Sequence, residues 1–147
     1  LDVSIWFYIA AVVVGLIAGI ISKKWEIGVL AGYVTVIFSI TVFTRPIGTR
    51  MEAALMPFWS YSVPRLKEQI IFNIIGFIPV GFLGARMLAW KAILMGIGIS
   101  VAVEMVQFFS KTGLFEVDDI IHNSIGAAVG VLICMLIAGI KKEGNNV

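Results

Sequence analysis

Apolar runs of membrane-crossing length dominate this chain. Five of them lie near Val3–Ser22, Ile27–Phe43, Ile70–Leu88, Ala92–Phe109 and Ile120–Ile140. Each falls in the roughly 17–25 residue range of a bilayer crossing. Helix is the expected conformation, because an open strand cannot satisfy its backbone N–H and C=O groups in hydrocarbon. The third run is the most interrupted, by Asn73, Pro79 and its glycines. Composition supports the same reading. The 147 residues are 60% apolar and 14% charged, against roughly 25% charged in a soluble domain. A chain this small with so few charges could not hide its apolar surface from water. The fold class expected is therefore all-α: a polytopic bundle of about five spans in a single domain over residues 1–147. The first apolar run is too long for a signal-peptide core and lacks a basic start, so it reads as a retained helix.

Charge between the spans sets an expected orientation. One side carries Lys23, Lys24, Arg86, Lys91, Lys141 and Lys142 against Glu26 and Glu143. The other carries Arg45, Arg50, Arg65, Lys67 and Lys111 against six acids, Asp2, Glu52, Glu68, Glu116, Asp118 and Asp119. The more positive side is expected to face the cytoplasm, with the N-terminus outside and the C-terminus inside. The net charge of +2 is small and has no basic run, which argues against nucleic acid as a partner. The lone Cys134 excludes an intramolecular disulfide. The long connection Thr44–Gln69 falls on the outer side. Met51, Leu55, Met56, Phe58, Trp59 and Tyr61 suit the lipid–water boundary there, and Pro57 and Pro64 interrupt any helix. It reads as an interfacial or re-entrant segment. Gly15–Gly19, Gly28–Gly32 and Gly126–Gly130 have the spacing that lets helix backbones approach closely. They can serve packing within one bundle or contact between two copies.

The polar residues inside the spans are the candidates for chemistry. Glu104 is foremost, because an ionisable group at that depth is costly and marks a function or a specific partner. Ser100, Glu104, Gln107 and Lys111 form one helical stripe, and Asp119, Asn123, Gly126 and Gly130 form another. Asn73 begins a third with Gly76, Val80 and Gly84. A lone Asn in a span more often makes an interhelical hydrogen bond, and Pro79 more often kinks a helix than binds a ligand. Asp118 and Asp119 can cap a helix and complement its dipole, although two acids after Glu116 exceed what a cap needs. His122 follows Asp118 by one turn, so an Asp–His acid–base pair is an option. The bland reading, a hydrogen-bonded surface histidine, carries more weight. A zinc site would need more nitrogen or sulfur ligands than the chain has. Asn73, Glu104, Gln107, Asp118, Asp119 and Asn123 share one depth, as do Arg45, Arg50 and Arg65 above them. Residues acting only as helix glue need not share a depth, so one outward-facing pocket is expected.

These residues carry a family resemblance. Asn73-Ile-Ile-Gly-Phe-Ile-Pro79-Val-Gly81-Phe, Glu104-Met-Val-Gln107-Phe and Phe115-Glu-Val-Asp118-Asp119-Ile-Ile-His-Asn123-Ser-Ile-Gly126 are similar to three motifs of the VanZ-like family. That family is named for a teicoplanin-resistance protein. Arg45 and Leu55-Met56-Pro57-Phe58 fit its weaker upstream part, and the likeness is strongest over residues 44–132. Glu116 stands where the family usually has Asp, and Ala54 where it often has Asn. Gly113 and Leu114 occupy the place of a usual Arg. The resemblance implies a multi-pass protein of the bacterial cell membrane, associated with resistance to teicoplanin-type lipoglycopeptides. It implies no reaction. The leading expectation is a pocket that binds a lipid-linked envelope component or the antibiotic's lipid tail without catalysis or cofactor. One alternative is a hydrolase or transferase acting on a lipid-linked substrate. It would use Glu104, Asp118, Asp119 or His122 as catalytic groups, or a divalent cation held by Asp118 and Asp119 with Glu104 or Glu116. The other alternative is a transporter or flippase coupled through Glu104.

Overall fold

The structure is a computed structural model and describes residues 4–48, 51–63 and 67–144, with side chains to residue 139. Asp2, Arg50, Pro64 and Arg65, and the side chains of Lys141, Lys142 and Glu143, lie outside the described residues. Five long helices form: α1 (Ile5–Ser22), α2 (Trp25–Phe38), α3 (Lys67–Leu88), α4 (Ala92–Ser110) and α5 (Val117–Gly144). A wider π-helical turn, Ser39–Phe43, extends α2. Four continuous stretches are long and apolar enough to cross a membrane. One of them, Lys67–Ser110, runs for 44 residues. Ala89, at φ 51°, bends it back on itself, so that it supplies two antiparallel helices. The bundle thus has the five spans expected. Several boundaries differ from expectation. Trp25 rather than Ile27 opens α2, Lys67 rather than Ile70 opens α3, Val117 rather than Ile120 opens α5, and α5 runs on to Gly144. Asp118 and Asp119 therefore lie in the first turn of α5, where carboxylates complement the exposed N–H groups. Pro79 sits inside α3, which continues past it.

Small residues decide which helices touch. In the α1–α2 hairpin, a Cβ on Gly15 would lie 2.8 Å from the Gly28 carbonyl oxygen, and one on Gly32 would lie 2.9 Å from the Ala11 oxygen. In α5, Gly126 and Gly130 lie against the Ile74 and Ile78 carbonyls of α3, and Gly81 of α3 lies against the Ala127 carbonyl. All three glycine pairs are thus engaged within one chain. Between these contacts Leu30, Phe77, Val80 and Leu83 form a buried apolar cluster. The outer faces remain apolar: Trp6, Ile20, Phe72 and Leu132 are exposed. Lipid tails replace water there, so this exposure carries no hydrophobic penalty.

The long connection between α2 and α3 closes over one end of the bundle. Gly48 N donates to the Lys111 carbonyl at 2.6 Å, and Phe115 N donates to the Glu52 carbonyl at 3.0 Å. Two short strands, β1 (Ala53–Ala54) and β2 (Phe115–Glu116), pair in parallel as Ala53 with Phe115 and Ala54 with Glu116. A 3-10 turn, Trp59–Ser62, follows. Met56, Phe58 and Tyr61 of this loop are exposed. This end is called the loop end below, and the end with the Lys23 and Ala89 turns the hairpin end.

Candidate functional site

The stripe on α4 faces inward as its spacing requires. Ser100, Glu104 and Gln107 are all buried. Glu104 Oε2 accepts the backbone N–H of Glu116 at 2.8 Å. Gln107 donates through Nε2 to the Thr41 carbonyl at 2.9 Å. Thr41 lies in the π-helical turn, and Pro46, five residues on, has no N–H to offer it in the i→i+5 pattern. Lys111, the last member of the stripe, leaves the helix at φ 58° and gives its carbonyl to the loop.

The α5 stripe meets it. Asn123 Nδ2 donates to Ser100 Oγ at 2.8 Å. Both Asp119 oxygens accept from Gln69 Nε2, at 3.1 and 2.9 Å. Gln69 precedes Asn73 by one turn of α3, so the two share a face. Asn73 Nδ2 and Asn123 Oδ1 are buried without a hydrogen-bond partner among the described residues. Asn73, Glu104, Gln107, Asp119 and Asn123 all line one cavity of about 640 Å³ between α2, α3, α4 and α5. Arg45 lies on its rim, exposed and close to Gly113, where a Cβ would come within 3.0 Å of Arg45 Nη1.

Two candidates go elsewhere. Asp118 is fully buried, and it is not on the cavity wall. Its oxygens accept from Phe58 N at 2.5 Å, Ser60 N at 2.9 Å and Ser60 Oγ at 2.5 Å. It clasps the loop. His122 Nε2 pairs with the Tyr61 hydroxyl at 2.9 Å, and the Tyr61 and His122 rings lie 5.6 Å apart. The optional Asp118–His122 hydrogen bond is not made: Asp118 bonds to Phe58 and Ser60, and His122 bonds to Tyr61. The carboxylates of the divalent-cation alternative, Glu116, Asp118 and Asp119, do not come together as one ligand set. Among the described residues no three His, Cys, Asp or Glu side chains group so as to hold a metal ion. Asp118 serves the loop and Asp119 serves Gln69, so the carboxylates diverge. Three residues not among those expected take part: Gln69, which bonds Asp119, Tyr33, on the cavity wall, and Ser60, which bonds Asp118. Gln69 could have been found from its one-turn offset to Asn73, but no spacing points to Tyr33 or Ser60.

Glu116 lies just outside the spans and is buried. Desolvation, reinforced by the nearby Asp119 carboxylate, pushes its carboxyl up from 4.5 to about 7. A carboxyl with a raised pKa ionises less readily in the folded protein than in the unfolded one. Ionising Glu116 therefore costs stability progressively as pH rises from 4.5 to 7, and fully above that. Glu116→Gln is expected to raise the melting temperature in detergent at pH 8 and to leave it nearly unchanged at pH 4.5. An equal shift at both pH values would remove this account.

Comparison with family models gives a match to VanZ/LLP1 over residues 27–138, most of the chain. The chain belongs to the VanZ/LLP1 family. The matched region holds every cavity residue named above and the loop, whereas α1 precedes it. Comparisons with curated proteins and with solved structures returned no match. The molecule is thus a VanZ-like integral membrane protein, and its function must be argued from its own geometry.

Proposed function

We propose that this protein lowers susceptibility to teicoplanin-type lipoglycopeptides by binding, without catalysis, at the polar cavity. The ligand is a lipid-linked envelope component or the antibiotic's lipid tail. The protein sits in a bacterial cell membrane with the loop end outward, as the excess of cations at the hairpin end favours. The observation that supports this reading is the gathering of Asn73, Glu104, Gln107, Asp119 and Asn123 on one cavity. Polar groups at this depth are expensive unless they meet one another or a ligand. Here one donor and one acceptor meet nothing among the described residues. The VanZ-like motifs supply the link to teicoplanin.

The test is expression in a teicoplanin-susceptible Gram-positive host. The minimal inhibitory concentration of teicoplanin is expected to rise several-fold, and that of vancomycin, which has no acyl chain, to stay unchanged. Glu104→Gln keeps shape and removes the carboxylate. It is expected to lose most of the teicoplanin effect while the protein elutes as a folded, monodisperse species. Full resistance in Glu104→Gln and in Asn73→Leu together would end the proposal. Turnover of a polyprenyl-linked substrate by the purified protein would replace binding with catalysis.

A further inference from the structure

A second concavity of about 710 Å³ runs along the α1–α2 hairpin. Its wall is apolar throughout most of its length, with Val12, Leu16, Trp25 and Val29 among its residues. Close packing at Gly15, Gly19, Gly28 and Gly32 draws the two backbones together and leaves a trough where side chains would otherwise stand. Tyr33 and Val36 line both this groove and the polar cavity. The Tyr33 hydroxyl donates to the Gly76 carbonyl at 2.9 Å, which holds α2 to α3 at the junction. The two concavities therefore share a wall at mid-depth.

Depth decides what such a path suits. Glu104 and Asn73 lie one and a half to two turns below the loop end of their helices, on the order of 10 Å at 1.5 Å per residue. From Val36 to Trp25 the groove follows α2 toward the hairpin end for about 16 Å. Recessed head and groove together account for most of the ~30 Å hydrocarbon thickness. The wall changes from hydrogen-bonding to apolar at Tyr33, as an amphiphile does between head and chain. We infer that cavity and groove form one track for a single bilayer amphiphile. Its head, carrying both hydrogen-bond donors and acceptors, sits against Asn73, Glu104 and Asn123, and one hydrocarbon chain lies in the α1–α2 groove. This rests on the binding reading above and specifies its ligand. A lipid packed nonspecifically around the bundle would have its head at the interface and would not depend on cavity residues.

The probe is phosphatidylethanolamine carrying a photoactivatable diazirine near the end of one acyl chain, incorporated with the full-length protein into phospholipid vesicles. Labelling mapped by mass spectrometry is expected to concentrate on groove residues such as Leu16 and Val29, relative to the equally exposed Leu132 and Leu136 of α5. Asn73→Leu is expected to reduce groove labelling several-fold without changing labelling at Leu132 and Leu136. Glu104→Gln, closer in shape, should do the same if Asn73→Leu fails to fold. Even labelling of groove and α5, or groove labelling that ignores a folded cavity variant, would overturn the track. Suppose Glu104→Gln loses teicoplanin resistance with groove labelling intact. Then the track fails and the binding proposal stands. If labelling falls and resistance persists, the resistance reading fails and the track stands.

Discussion

Gly130→Val is expected to give a protein that no longer elutes as a monodisperse species in mild detergent and no longer protects cells from teicoplanin. At this position α5 lies directly on α3. A Cβ on Gly130 would overlap the Ile78 carbonyl oxygen and come within 2.7 Å of Phe82 N. Gly126 meets the Ile74 carbonyl in the same way, one turn earlier. Neighbours that are backbone atoms in the middle of a helix cannot rotate aside as a side chain can. Overpacking usually costs about 1–3 kcal/mol, and here the helices must separate to relieve it. Separation would also move Asn73 away from Asp119 and Asn123, so cavity and fold fail together. Gly98→Ala and Gly139→Ala are the controls, since nothing lies within 4 Å of a Cβ at either position. Both should behave like the wild type or gain slightly from the better helix propensity of alanine. A Gly130→Val protein with normal elution and melting would show that α3 and α5 are not packed this closely.

The second large effect is expected at Asp118. Its side chain is completely buried and accepts two backbone N–H groups and one hydroxyl from the loop. Asp118→Ala removes all three acceptor contacts at once. An unsatisfied buried donor costs about 1–3 kcal/mol, and the loop can recover part of that by turning toward water. The net loss is expected at about 2–4 kcal/mol. It would appear as a lower melting temperature and as rapid proteolysis between residues 51 and 63. Asp118→Asn should fall between, because it keeps one acceptor oxygen but turns an NH2 group toward the loop donors. Tyr61→Phe removes only the hydroxyl contact to His122 and should be milder still. If Asp118→Ala melts normally with the loop protected, Asp118 does not hold the loop. Loss of teicoplanin resistance in Asp118→Ala would then point to direct ligand contact instead.

The adjacent acids Asp118 and Asp119 also mark the limit of what the sequence made legible. Both belong to one motif and one depth, and both were expected in the pocket. Successive residues on an α-helix point about 100° apart. One carboxylate therefore turns to the loop and the other to Gln69 and the cavity. Which goes where depends on the rotation of α5 against α3, and that rotation is set by Gly126 and Gly130 nesting on α3 carbonyls. The α4 stripe was easier to read. Residues at intervals of three and four share a face wherever the helix is placed, so Ser100, Glu104 and Gln107 turned inward as one group.

The apolar runs that dominate the chain determined the spans by themselves, because hydrocarbon accepts no backbone that leaves its own hydrogen bonds unmade. Helical periodicity then determined which polar residues travel together. Only the tertiary structure decided how those stripes meet. It joined Gln69 to Asp119 across α3 and α5 and Asn123 to Ser100 across α5 and α4, assigned Asp118 and His122 to the loop, and placed Tyr33 on the walls of both the polar cavity and the apolar groove. Those pairings depend on helix rotation and backbone approach across long stretches of chain, and no local spacing encodes them.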